Sequence, residues 1–289
     1  MEQTYRLVIR CPDRVGIVAK VSEFISAHGG WLTEASYHSE PGSGAQDPGW
    51  FFMRNEIRAD SLDVSLEQFQ QRFAELAQAF QMSWFISDSS VRKKVVILAS
   101  HASHCLADIL YRWHSGELYC DISAVIANHD NLRSMVEWHG IPFHHVPVDP
   151  ADKSAHFQQV DDLLQQIEAQ TIVLARYMQI LPAAICERYQ GQVINIHHSF
   201  LPSFIGANPY YQAYDRGVKL IGATCHYVTQ ELDQGPIIEQ DVERISHRHN
   251  KDDLVRLGRD VEKIVLARGL RYHLEDRVVM HGNKTVIFD

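Results

Sequence analysis

The sequence predicts an α/β chain of two modules in series, a βαββαβ unit followed by a larger, mostly parallel sheet with crossover helices. Three observations carry that prediction. Strand and helix periodicities follow the order βαββαβ up to residue 87, and short apolar strands alternate with amphipathic helices from residue 94. Between them lies a polar connector, Ser87-Asp88-Ser89-Ser90-Val91-Arg92-Lys93. The expected domains are 1–87 and 94–289, with a linker over 88–93.

In the first module, Tyr5, Leu7 and Ile9 alternate with Arg6, Val8 and Arg10, which signals a strand. Cys11-Pro12-Asp13-Arg14 reads as a turn. Ile17, Val18, Val21, Phe24 and Ile25 recur at helical spacing, and Gly29-Gly30 ends that helix. Further strands are expected over 31–38, 51–59 and 82–86, with a loop rich in Gly, Pro and Ser over 39–49. Ser65 with Gln68 forms a capping box for a helix carrying Leu66, Phe69, Phe73, Leu76 and Phe80.

In the second module, strands are expected over 94–99, 122–127, 143–146, 171–174, 192–194, 220–228 and 236–242. Helices are expected over 106–113, 132–139, 157–167 and 210–216, and Asn250 caps another carrying Leu254, Leu257, Val261, Ile264 and Val265. Alternation of this kind means right-handed crossovers and a Rossmann-like layout. A hairpin over 278–280 and 285–288, turning at His281-Gly282-Asn283-Lys284, closes the chain without a functional signal.

Bulk properties exclude several classes. A net charge of −9 without a long basic run argues against a nucleic-acid partner. No apolar run approaches the roughly 20 residues that cross a bilayer. Five cysteines without a CxxC pair, and no signal peptide, are expected of a reduced, cytoplasmic chain. The 17 histidines keep a metal site in view.

Chemistry concentrates in Asn195-Ile196-His197-His198-Ser199-Phe200-Leu201-Pro202, which follows the strand Gln192-Val193-Ile194. Side chains alternate along a strand, so Asn195 and His197 project together from its end, the edge where open α/β sheets bind ligands. Later, Thr229-Gln230-Glu231-Leu232-Asp233-Gln234-Gly235-Pro236 forms a loop after a strand. An amide, an imidazole and a carboxylate brought together would suit acyl transfer, the amide holding an oxyanion and the other two moving protons. The pattern by itself fits a structural role as readily.

Asn195-Ile196-His197 with Ser199-Phe200-Leu201-Pro202 behind it, then Val228 through Pro236 and Ile237-Ile238, resembles the catalytic core of the folate-dependent formyltransferase superfamily. The resemblance runs from about Lys94 to about Phe288 and implies that Asn195, His197 and Asp233 are catalytic. It also implies a pterin-binding wall. Leu174-Ala175-Arg176-Tyr177-Met178-Gln179-Ile180-Leu181-Pro182 is similar to the segment whose main chain meets the pterin, with Met178, Gln179, Ile180 and Leu181 as contacts and Val228 facing them. Read without the resemblance, that stretch is a strand running into a Pro-capped helix.

Within the superfamily, the turn after the first strand cradles an acceptor's phosphate with glycines in enzymes that act on glycinamide ribonucleotide. Here that turn is Ser100-His101-Ala102-Ser103-His104-Cys105, with no glycine to let backbone N–H groups close on a phosphate. A phosphorylated acceptor is therefore expected to fit poorly, and without an acceptor amine water is the expected nucleophile. His198 stands where the transferases have proline and matches the deformylases, which hydrolyse 10-formyltetrahydrofolate to formate and tetrahydrofolate. The short loop over 204–210 leaves little room for a macromolecular acceptor. No permanently bound cofactor is expected, and 10-formyltetrahydrofolate enters as substrate.

Asp13-Arg14-Val15-Gly16-Ile17, at the strand-to-helix junction of the first module, is similar to the ACT family of regulatory domains. This implies an amino-acid effector (glycine or methionine from the deformylase resemblance), contacts at Asp13 and Gly16, and a homo-oligomer, dimer or tetramer. Gly16 serves a tight turn equally well, and Asp13 a helix cap. Three rivals remain. A zinc hydrolase could draw on His101 and His104, or His144 and His145, with His197, although HExxH is missing. A formyltransferase to a small amine and a non-catalytic folate or amino-acid sensor are the others.

Overall fold

A computed structural model describes residues 2–43, 47–201 and 209–289. The chain divides into two compact units. The first comprises Met1–Arg92, Glu275–His281 and Val286–Asp289, the second Lys93–Leu274 and Gly282–Thr285.

The first unit holds β1 (Thr4–Pro12), α1 (Ile17–Ala27), β2 (Leu32–Glu40), β3 (Trp50–Arg58), α2 (Leu66–Ala79) and β4 (Ser83–Asp88). Its sheet has the order β2-β3-β1-β4 with antiparallel pairing throughout, the ferredoxin-like arrangement. Leu7, Ile9 and Met53 pack on one face with Val21 and Ile25 of α1 and Phe69 and Phe73 of α2. Alternate positions face the other way, and there Val8 and Phe52 meet Val279, Val286 and Phe288. The fully buried Arg54 is held by Glu34, by Glu56 and by the carbonyls of Glu275 (2.9 Å) and Asp276 (3.2 Å).

The terminal hairpin, β12 (Val278–His281) and β13 (Lys284–Ile287), thus supplies core to the first unit, whereas the sequence reading kept it with the second. The capping box at Ser65 and Gln68 forms as expected. Gly16 is the N-cap of α1 at a φ of 96°, a left-handed backbone that favours glycine, and a Cβ there would meet nothing within 4 Å. Asp13 does not cap the helix: its carboxylate accepts from Ser39 Oγ, and its N–H donates to the Gly49 carbonyl at 3.0 Å.

The second unit runs β5 (Lys94–Ala99), α3 (His104–His114), β6 (Asp121–Ala127), α4 (Arg133–Trp138), β7 (Phe143–His145), α5 (Lys153–Ile167), β8 (Thr171–Ala175), α6 (Ala183–Arg188), β9 (Val193–His197), α7 (Pro209–Arg216), β10 (Leu220–Tyr227), β11 (Ile237–Arg244) and α8 (Lys251–Leu274). Its sheet has the order β11-β10-β9-β8-β5-β6-β7. The pairs among β5 to β9 are parallel, and β10 and β11 add an antiparallel edge beside β9. The order reverses between β5 and β8, which makes their carboxyl ends the switch point of the sheet.

Helix α5 starts at Lys153, one turn before the expected 157, because the Asp152 carboxylate caps the N–H groups of Ser154 and Ala155. Asn250 caps α8 through Asp253 N–H at 2.9 Å. The loop expected over 204–210 lies up to residue 208 outside the described residues, as does Pro202. No described helix is long and apolar enough to cross a membrane.

Candidate active site

Strand β9 emerges from the core with Asn195 and His197 on one face and buried Ile194 and Ile196 on the other. Its antiparallel neighbour β10 sets His226 opposite Asn195 and Thr224 opposite His197. Directly opposed residues share a face, so two imidazoles, an amide and a hydroxyl gather at one sheet end. Asn195 Nδ2 lies 3.1 Å from His226 Nε2. His226 Nδ1 donates to the Tyr227 carbonyl at 2.9 Å, and its Nε2 faces both the Asn195 amide and the Asp233 carboxylate. His197 Nε2 lies 2.9 Å from Ser199 Oγ.

The carboxylate arrives from the loop between β10 and β11. Tyr227 N–H donates to the Pro236 carbonyl at 2.9 Å, closing the loop on itself. Gly235 permits the closure, since a Cβ there would lie 1.8 Å from the Tyr227 carbonyl oxygen. Asp233 takes a φ of 55°, uncommon outside glycine, and puts Oδ2 3.1 Å from His197 Nδ1 and Oδ1 3.5 Å from His226 Nε2. Burial opposes its charge, yet hydrogen bonds from His197 and His226, with their positive character, hold its carboxyl well below the usual range. Asn195, His197 and Asp233 therefore share one site.

They line a cavity of about 440 Å³. One wall is the segment after β8: Met178, Gln179, Ile180 and Leu181 all border the space, and Val228 and Leu232 face them. Met178 N–H donates to Ser100 Oγ at 3.0 Å, and that hydroxyl donates to Asn128 at 2.7 Å, so the wall is tied to the end of β5. Met178 and Ile180 stay 60% and 67% exposed, an apolar surface ready for a flat ligand. The volume falls in the range of small-molecule sites.

Beside the cavity lies a buried polar cluster. Glu262 of α8, only 1% exposed, accepts from Tyr210 OH at 2.6 Å, from His104 Nε2 at 2.7 Å, and stands 3.4 Å from Arg176 Nε. His104, Cys105 and Glu262 form a group whose ligand atoms lie within 4.8 Å of one another. Its chemistry does not suit a cation. Both Glu262 oxygens already have donors, a guanidinium sits beside them, and burial followed by the Glu262 charge pushes the Cys105 thiol well up. The group joins His104 to Glu262, and His197 to neither.

A formyl transferase family model matches residues 93–270. A formyltetrahydrofolate deformylase of Bacillus subtilis is 44% identical over 288 residues, covering 100% of this chain and 95% of the relative. The chain belongs to the formyltetrahydrofolate deformylase family. The crystal structure of a deformylase from Pseudomonas syringae pv. tomato is 64% identical, with a TM-score of 0.96 over 100% of this chain and 95% of that one. A glycinamide ribonucleotide transformylase from Symbiobacterium toebii shares 27% identity at a TM-score of 0.64 and covers 68% of this chain. The deformylase likeness thus spans both units.

In this deformylase-family chain, Asn195, His197, Asp233 and the 178–181 segment, all singled out in the sequence, border one cavity. The sequence reading missed His226, whose signal was its place on the same strand face as Thr224. It also missed Arg176 and Glu262. Arg176, which the sequence placed in the wall segment without a role of its own, has a φ of 60° and borders the cavity.

Proposed function

We infer that the chain hydrolyses 10-formyltetrahydrofolate to formate and tetrahydrofolate. The observation that carries this reading is the cavity whose end holds Asn195, His197 and Asp233 together between two apolar walls. Membership of the deformylase family over the full length supports the choice of substrate. A pterin lies between the 178–181 segment and the 228–233 loop and presents its formyl group to the polar end.

There Asp233 and His197 hold a water and take its proton as its oxygen attacks the formyl carbon. Asn195 donates to the oxygen as it becomes an alkoxide, a stabilisation worth roughly 3 kcal/mol. The bond from carbon to N10 then breaks, and the proton passes to N10 so that the folate leaves as an amine. Ser199, His197 and Asp233 form a chain that looks like a nucleophilic triad. Ser199 is 4% exposed and does not border the cavity, which favours water as the nucleophile.

The first unit and its strand order support an ACT-type role: an effector such as glycine or methionine near Asp13 and Gly16, and pairing of subunits into a dimer or tetramer. The reaction needs no permanent cofactor, runs in the cytoplasm, and supplies formate for purine synthesis while balancing one-carbon pools. Purified chain given 10-formyltetrahydrofolate alone should release formate and tetrahydrofolate in equal amounts. Formyl loss that waits for an added amine would instead establish a transferase, and substrate binding without turnover a sensor.

A further inference from the structure

The switch point between β5 and β8 is where an open α/β sheet offers a crevice to a second ligand. In this chain the turns after these strands carry Arg176 and His104. Arg176, in the turn after β8, borders the catalytic cavity together with Asn195, His197 and His198. His104, at the start of α3 after β5, borders a second cavity of about 370 Å³, lined also by Arg256, Arg259 and Lys263 of α8. Glu262 joins the two, 3.4 Å from Arg176 Nε and 2.7 Å from His104 Nε2. Tyr210 braces the junction through its bond to the other Glu262 oxygen. Arg176, Glu262 and His104 are thus a continuous run of contacts from the lining of one cavity to that of the other.

We propose that Arg176, ion-paired with Glu262, is a specificity-determining partition that closes the acceptor side of the catalytic cavity to amines and so leaves water as the only nucleophile. This rests on the hydrolytic reading above and adds the reason that hydrolysis prevails over transfer. Three features of the chain fit a partition. A guanidinium at 17% exposure, 3.4 Å from a carboxylate at 1% exposure, resists displacement, since breaking a buried ion pair leaves an uncompensated charge. Its cationic head also repels a protonated amine approaching along that side. The left-handed backbone at Arg176 is strained for any residue but glycine, and strain of this kind is kept where the side chain is needed.

With the partition opened, an amine nitrogen can attack the formyl carbon. The bond from carbon to N10 breaks, one amine proton passes to N10, and the products are the N-formyl amine and tetrahydrofolate. The test supplies 10-formyltetrahydrofolate with hydroxylamine or glycinamide and measures formate, formylated amine and tetrahydrofolate together. The unaltered chain should yield formate alone at every amine concentration. Arg176→Gly, which suits the left-handed backbone, and the double change with Glu262→Gln should raise the formylated share on the order of tenfold above background. Arg176→Lys, which keeps the cation, should restore formate as the product.

If both glycine-bearing variants release tetrahydrofolate with formate only, the partition is refuted while hydrolysis stands. Absence of formate from the unaltered chain sinks the hydrolytic reading instead. Should neither glycine-bearing variant fold, the unaltered chain still decides, because formylation of hydroxylamine by it overturns the partition, and amine-independent formate release together with a formylating Glu262→Gln variant supports it.

Discussion

Gly258 leaves the space that the ring of Tyr210 fills. A Cβ at position 258 would lie 2.1 Å from Tyr210 Cζ and 2.3 Å from its hydroxyl oxygen. One turn further along α8, Glu262 receives that same hydroxyl. Gly258→Ala therefore has to displace the ring and break the bond. Overpacking costs about 1–3 kcal/mol and the orphaned buried oxygen a similar amount, against about 1 kcal/mol gained from alanine in a helix. A net loss of about 3 kcal/mol is expected in urea unfolding, and unchanged stability would show that α7 does not rely on this contact.

Asn195→Ala and Asp233→Asn test the polar end of the cavity. Each should lower kcat by roughly 10²–10³-fold while folate affinity, set by the apolar walls, stays close to normal. Steady-state kinetics combined with fluorescence titration of a non-reactive folate separates the two effects. Turnover near that of the parent in either variant would remove that residue from the catalytic set.

His226 bears on the amide from the neighbouring strand. Truncation in His226→Ala leaves Asn195 without its cross-strand partner and Asp233 without one of two imidazoles. The expected outcome is a roughly ten- to hundredfold fall in kcat with little change in KM, because the amide is displaced from the oxyanion rather than from the pterin. A variant altered only in KM would move His226 from the chemistry to the walls.

His198 has its imidazole pushed down from 6.5 to about 4, first by burial and then by the Arg176 charge. Between those values the unfolded chain binds a proton that the folded chain does not, so stability contributed by the neutral ring is present above pH 6.5 and is lost as pH falls toward 4. His198→Asn removes that group. Unfolding measured at pH 7 and at pH 4 should show the parent losing up to roughly 3 kcal/mol more than the variant. Parallel losses in the two proteins would mean that His198 is not the titrating group.

Local pattern sufficed for much of this. Strand and helix assignments came from periodicity, which depends only on neighbours along the chain, and the alternation of β9 put Asn195 and His197 on one face without any knowledge of the sheet. The wall segment was named only through the family resemblance, since its local pattern by itself reads as a strand running into a helix. Glu262 was not legible, since a glutamate on an amphipathic helix reads as a solvated face unless the fold buries it, and here two hydrogen-bond donors and a guanidinium from distant segments offset that burial. The start of α5 was misjudged because Asp152 acts through a side-chain cap rather than through apolar spacing.

What the sequence by itself determined is the set of elements, their faces and the presence of an amide, an imidazole and a carboxylate near strand ends. Only the tertiary structure decided which of them meet. The antiparallel pairing of β10 with β9 brings His226 to Asn195, and the loop closed at Gly235 carries Asp233 to His197. The packing of the terminal hairpin with the first unit and the Arg176–Glu262 pair are likewise products of that order. The physical reason is that side-chain direction is a local property of the backbone, whereas convergence requires strand order and loop closure, set by burial of the whole apolar surface at once.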